Sequence, residues 1–203
     1  MVKTRIYMID TTIDYYNNNA NKLVKDYDKA DMSNVYILIE KFLKSNDKIL
    51  DIGFGSGRDI RYFNSKNFEI YGIDASKKFV EIFKKSYPNL SKFVYYSVLP
   101  EINIPIKNFD LIFSMATWMH LTQVTQENTI INIKNHLKDN GIFVVGYSYS
   151  KRENDPRLFE DLNPRKMELL FSKNGFSLIE KYFTNDSLKR ENLKWVVQVF
   201  KLK

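Results

Sequence analysis

Three of the chain's seven glycines, Gly53, Gly55 and Gly57, fall within five residues. In a sequence so poor in glycine, the cluster needs a local cause. It follows Ile49-Leu50-Asp51-Ile52, a short apolar strand, and precedes a helix expected over 58–65. One cause is a tight strand-to-helix turn that requires positive φ. The other is a bend kept bare so that a ligand can lie against the backbone, under the N–H groups that open the helix. The position favours the second, because open α/β sheets bind ligands at the carboxyl ends of their strands.

The surrounding pattern supports such a sheet. Residues 68–74, 93–98, 109–115 and 142–147 read as further strands. Ser76 caps a helix carrying Phe79, Val80 and Phe83, and 126–138 reads as a helix stopped by Asn140-Gly141. Upstream, residues 12–44 read as helical. Ser33 serves as a cap for Val35, Leu38, Ile39 and Phe42 on one face, and Ile13, Tyr16, Ala20, Leu23 and Val24 give a looser stripe. Pro164 suits a first helical turn, and Gly175 ends that helix. Residues 176–183 and 195–202 close the chain as strands joined by a polar loop, an antiparallel hairpin at one edge. This rhythm predicts an α/β fold with an open, largely parallel sheet and helices on both faces.

Asp74 ends the second strand, 17 residues after Gly57. A carboxylate there can accept both vicinal hydroxyls of a ribose, or share in capping the next helix with Ser76. Dinucleotides and S-adenosylmethionine both present a ribose to such a bend. The dinucleotide fingerprint is G-x-G-x-x-G, whereas this loop is Gly53-Phe54-Gly55-Ser56-Gly57-Arg58. Asp51, two residues before the first glycine, would repel a pyrophosphate and suits a ligand with an ammonium and a sulfonium.

At these residues a resemblance enters. Asp51 to Asp59 resembles motif I of the class I S-adenosylmethionine-dependent methyltransferases, and Asp74 their acidic second motif. Asn108-Phe109-Asp110-Leu111-Ile112-Phe113-Ser114 is similar to their fourth-strand motif. Leu137-Lys138-Asp139-Asn140-Gly141-Ile142-Phe143 is similar to their turn into strand five, with Asp139-Asn140-Gly141 where Pro-Gly-Gly is common. Tyr15-Tyr16-Asn17 and Asn19-Ala20 resemble the N-terminal lid helix of small stand-alone members. The resemblance implies a Rossmann-like three-layer α-β-α sandwich with seven strands in the order 3-2-1-4-5-7-6, strand 7 antiparallel. It implies one domain over 1–203, with 1–45 as a helical lid and 46–203 as the core.

It also implies roles. S-adenosylmethionine would be held by Tyr16, Asp51, Gly53, Gly55, Gly57, Arg58, Asp74, Ala75, Ser114 and Met115. The acid often found after strand three is replaced here by Tyr96-Ser97-Val98-Leu99. Adenine recognition is therefore expected from backbone groups, the Ser97 hydroxyl, and Val98 and Leu99. Arg58 is open to two roles, the cofactor's carboxylate or a surface salt bridge. Tyr15 and Tyr16 would cover the methionine moiety or pack the helix.

Methyl transfer from a sulfonium is an in-line displacement with a neutral leaving group. It needs positioning and water exclusion more than an oxyanion hole. The stretch after strand four, Ser114 to Leu121, would face the methyl group. His120 there fits either a general base or a loop-orienting residue. Trp118 fits a pocket wall or core packing. Tyr149, in Tyr147-Ser148-Tyr149-Ser150-Lys151-Arg152, is a third catalytic candidate, and with Arg152 would grip a polar or anionic acceptor. His136 is assigned to the helix surface. The charged stretch 186–194 is a candidate to close over the site.

Other classes are set aside or kept open on composition. The Met1-Val2-Lys3-Thr4-Arg5 start is not a signal-peptide core, and no apolar run approaches a membrane span. With no cysteine there are no disulfides, thiolate metal sites or cysteine nucleophile, which is compatible with the cytoplasm. No metal-ligand spacing stands out. The nucleic-acid amino-methyltransferase tetrapeptide [DNS]-P-P-[FYW] is absent. The 31 basic and 24 acidic residues leave +7, which keeps RNA open as a partner. A small-molecule acceptor methylated on oxygen or nitrogen is the primary expectation. A tRNA, rRNA or protein methyltransferase, a non-enzymatic cofactor binder and an NAD oxidoreductase are the rivals.

Overall fold

Near-continuous burial identifies the central strands. Ile49, Leu50, Asp51 and Ile52 are all buried in β1 (Lys48–Ile52), as a parallel strand covered on both faces must be. In the computed structural model, residues 2–152, 154–190 and 192–203 are described, with side chains from residue 10. Met1 of the opening stretch and Glu191 of the 186–194 segment lie outside the described residues.

Six more strands join β1. They are β2 (Glu69–Asp74), β3 (Val94–Tyr96), β4 (Phe109–Met115), β5 (Leu137–Ser148), β6 (Phe176–Thr184) and β7 (Trp195–Leu202). Their spatial order is β3-β2-β1-β4-β5-β7-β6. The pairs from β3 through to β5 are parallel, and β7 runs antiparallel to both β5 and β6. The topology is that of the class the sequence resembles. The chain order reverses between β1 and β4, so the carboxyl ends of those strands border a crevice.

Helices cover both faces. On one lie α1 (Val2–Tyr27), α2 (Ser33–Glu40), α3 (Arg58–Ser65) and α4 (Lys77–Ser86). They bring Ala20, Ile39, Ile60, Phe63, Phe79 and Phe83 against Ile49, Leu111 and Val144. On the other face α5 (Gln123–His136) and α6 (Pro164–Lys173) bring Ile130, Ile133, Met167 and Phe171 against Leu50, Ile112 and Phe143.

The helical stretch expected over 12–44 is two helices, α1 and α2, separated by residues 28–32 and ending at Glu40. Three local expectations need correction. Ser33 is the first residue of α2 and not its cap; the N-cap is Met32, which makes no side-chain cap bond, and Asp31 Oδ1 accepts both the N–H and the hydroxyl of Ser33. Helix α5 starts earlier than expected, at a Thr122 cap. It ends at His136, and the Asn140-Gly141 turn is an irregularity inside β5: Phe109 pairs with Leu137 and Leu111 with Ile142, and Asn140 has φ 62°. His136 is buried and not on the surface, its Nδ1–H donating to the Asn132 carbonyl at 2.7 Å.

Candidate active site

The glycine bend leaves the sheet at the end of β1. Gly53 donates to the Ile73 carbonyl at 2.8 Å, and a Cβ at Gly53 would lie 2.0 Å from Thr117 Oγ1. Asp74 completes the bend. Its Oδ2 accepts from Gly55 N at 2.9 Å and its Oδ1 from Ser76 N at 2.7 Å. A carboxylate offers about four acceptor positions, so about two remain for a vicinal diol. Burial pushes the Asp74 carboxyl up to about 6, against the pull of those two N–H groups. Ser76 also caps α4, its Oγ accepting from Phe79 N at 3.1 Å, so capping and bend closure share one short segment.

Asp51 lies behind the bend. It is buried, and its Oδ2 has no hydrogen-bond partner. Burial, and then the charge of Asp59, pushes its carboxyl well up. An orphaned buried carboxylate oxygen beside a bare bend fits a ligand that brings a cation.

Beside the bend is a cavity of about 250 Å³. It is lined by Gly53, Gly55, Arg58, Asp74, Ala75, Val98, Leu99 and Met115 on one side, and by Tyr16, His120, Arg152 and Arg157 among others. Helix α1 roofs it and is tied to the core through Thr12, Tyr16 and Asn17 among others. Thr12 Oγ1 accepts from Leu158 N at 2.7 Å. The Tyr16 hydroxyl meets His120 Nε2 at 2.7 Å. Asn17 Oδ1 accepts from Ser76 Oγ at 2.8 Å.

His120 contacts fix its tautomer. Its Nδ1 lies 2.7 Å from the Leu158 carbonyl, which can only accept, so Nδ1 carries the proton. Nε2 then accepts from the Tyr16 hydroxyl. Burial pushes the imidazole down to about 4, with Arg157 and Arg152 adding to the depression and the Leu158 bond opposing it. His120 is therefore neutral at pH 7 and its lone pair is engaged. Burial raises the Tyr16 hydroxyl pKa, and Arg157 Nη1 donates to its oxygen at 3.3 Å.

Other expected site residues sit elsewhere. Trp118 is fully buried between Phe143 and Phe171 and is core, not a wall. Tyr149 packs edge-on against Phe183 and does not line the cavity. The Ser97 hydroxyl is committed to its own loop, donating to the Glu101 carbonyl at 2.6 Å and accepting from Asn103 N at 2.9 Å. It is thus unavailable as a donor to adenine. The Ser114 hydroxyl is buried and donates to the Ile52 carbonyl, tying β4 to β1. Gly57 stands behind the bend at the start of α3, against Phe83.

Arg58 fits neither of its two expected roles alone. Its guanidinium is largely buried and bonds Asp59, the Tyr36 hydroxyl and the Tyr27 carbonyl, which pins the end of α1 to the bend. Of five N–H groups, one on each terminal nitrogen is left for a ligand. Sequence reasoning missed Thr12, Arg157 and Trp195 on the cavity wall. No local pattern marks them: Thr12 meets Leu158 and Arg157 meets Tyr16 across more than a hundred positions, and Trp195 reaches the cavity through the pairing of β7 with β5.

The methyltransferase-domain family profile matches residues 50–145, from β1 through to β5. The chain is 29% identical over 139 residues to a phosphoethanolamine N-methyltransferase of Plasmodium falciparum, covering 66% of this chain. It spans about half of that relative, 52% of its length. It is 25% identical over 206 residues to an uncharacterized methyltransferase of Oceanobacillus iheyensis, covering 92% of each. Its fold matches a Burkholderia thailandensis 1,6-didemethyltoxoflavin-N1-methyltransferase solved with its acceptor and S-adenosylhomocysteine (TM-score 0.74, 14% identity, 96% of this chain and 88% of the other).

Proposed function

Because this chain belongs to the class I S-adenosylmethionine-dependent methyltransferases, we propose that it methylates an oxygen or nitrogen of a small molecule held beneath helix α1. The observation that carries the reading is one cavity bounded by the Asp74-closed glycine bend on one side and the Tyr16–His120 pair on the other.

In this reading the bound cofactor supplies an electrophilic methyl group. Asp74 accepts the ribose hydroxyls, Gly53 and Gly55 offer bare backbone, and Ala75, Val98, Leu99 and Met115 give the nucleoside apolar cover. Asp51, behind the bend, and the free N–H groups of Arg58 would balance the charges at the cofactor's amino-acid end. Residues 1–45 act as the lid, and α1 excludes water from the transfer. His120 positions the Tyr16 hydroxyl instead of taking a proton from the acceptor. The phosphoethanolamine and didemethyltoxoflavin methyltransferases act on small acceptors, which supports the same class here. The +7 charge favours RNA as the second acceptor class. A gel-shift series at rising salt tests that, and no binding at low salt removes it.

A screen for S-adenosylhomocysteine release over metabolite and RNA pools tests the proposal. Turnover with a metabolite fraction is expected. Cofactor binding without turnover on any pool would make the chain a binder only.

Two pH effects follow. Ionised Asp74 is the form that ribose hydroxyls favour, and its carboxyl sits near 6 against the ordinary 3.8. S-adenosylhomocysteine affinity is therefore expected to fall as pH drops through about 6, by at most about tenfold per pH unit. Fold stability moves the other way. The native state holds this proton more tightly than the unfolded chain, so the contribution is full below pH 3.8 and lost as pH rises through about 6. Calorimetry from pH 5 to 8 reads the affinity limb. For turnover, no inflection from His120 is expected near its ordinary 6.5, and His120→Asn should lower the rate without moving the pH profile. Loss of a limb near 6.5 in that variant would restore the general-base role.

A further inference from the structure

We propose that the acceptor is anionic and that Arg152, with the indole N–H of Trp195, holds its negative group. This rests on the small-molecule methyltransferase reading above. The fold brings both residues to the same cavity. Strand β5 ends at Ser148, whose partner in β7 is Trp195, and Arg152 follows four residues later. Both line the cavity, and each has a buried N–H without an acceptor, Nε on Arg152 and Nε1 on Trp195. A buried donor left unmade is costly, and two of them in one cavity favour an acceptor-rich group there.

The charge pattern singles out Arg152. The other cavity arginines have carboxylate partners: Arg58 with Asp59 at 2.8 Å, Arg157 with Asp155 at 2.7 Å, and Arg190 with Asp186 at 2.5 Å. Among the described residues, Arg152 has none. Its guanidinium stacks on Phe159 at 4.2 Å, and burial together with Arg190 and Arg157 weakens its hold on its own proton. An incoming carboxylate or phosphate relieves both the orphaned donors and the like-charge crowding. The Phe159 ring also lies 4.5 Å from the His120 ring, so the anion would be held within a small molecule's reach of the Tyr16–His120 pair.

The test uses the full chain saturated with S-adenosylhomocysteine. Acetate, inorganic phosphate and the neutral acetamide are titrated while the indole N–H signals of the two tryptophans are followed by NMR. Acetate and phosphate are expected to shift the Trp195 signal saturably, with acetamide at least about tenfold weaker. Arg152→Met should abolish the shift while S-adenosylhomocysteine affinity changes by less than about twofold. Arg152→Lys, which keeps the charge, should retain part of it and guards against a folding defect in the first variant. The inference is overturned if the anions leave the signal unmoved, or if acetamide matches acetate. It is also overturned if Arg152→Met weakens S-adenosylhomocysteine about tenfold, which would assign Arg152 to the cofactor's own carboxylate. If S-adenosylhomocysteine itself does not bind, the underlying methyltransferase reading fails instead.

Discussion

Asp74→Ala is expected to weaken S-adenosylhomocysteine binding by at least about 100-fold, the largest functional effect of any single change considered. A hydrogen bond to an ionised group contributes about 1.5–3 kcal/mol, and the ribose would make two to this carboxylate. Their joint loss is about 3–6 kcal/mol, or roughly two to four powers of ten. The bend is affected too, because Gly55 N and Ser76 N lose the oxygens they now share. Asp74→Asn separates the two contributions. It keeps one acceptor, but its NH₂ faces a backbone N–H, so it should fall well below wild type. Calorimetry measures the affinities, and thermal unfolding shows that the variants remain folded. An unchanged dissociation constant in Asp74→Ala would remove the ribose assignment.

Gly57→Ala is expected to cause the largest loss of stability. Its φ is 72°, in the left-handed region, which costs a residue with a Cβ about 1–2 kcal/mol. A Cβ there would also lie 2.1 Å and 2.2 Å from two ring carbons of Phe83. That ring is buried against Phe54 and Tyr87 and has little room to retreat. Overpacking of this kind costs about 1–3 kcal/mol. The total, about 2–5 kcal/mol, is a large share of the about 5–15 kcal/mol that holds a domain folded. Chemical denaturation reads the loss directly. A change below about 1 kcal/mol would mean that Phe83 and α4 shift freely, against the packing described.

The sequence is most informative where one short segment carries several signals at once. Helix α3 and strand β4 have the bounds expected from sequence, because glycine punctuation and an unbroken apolar run define their ends. The entry to β5 was less legible. Asn140 has left-handed geometry, but the hydrogen bonding around it belongs to the strand, a register matter no local pattern reveals. The same division holds at the site. Gly53, Gly55 and Asp74 could be picked out because strand, bend and acid follow one another in the chain. The Tyr16–His120 contact spans 104 positions and depends on where the N-terminal helix lands. Trp118 and Ser97 misled for a related reason. Both are near the crevice in sequence, but core packing claims the first and the backbone of its own loop claims the second.

Diffraction from crystals grown with S-adenosylhomocysteine is the most direct trial of the whole account. The expected result is a nucleoside lying along Gly53 and Gly55, both ribose hydroxyls within hydrogen-bond distance of Asp74, and the sulfur turned toward Tyr16 and His120. A ligand bound elsewhere, or one whose ribose points away from Asp74, would contradict it.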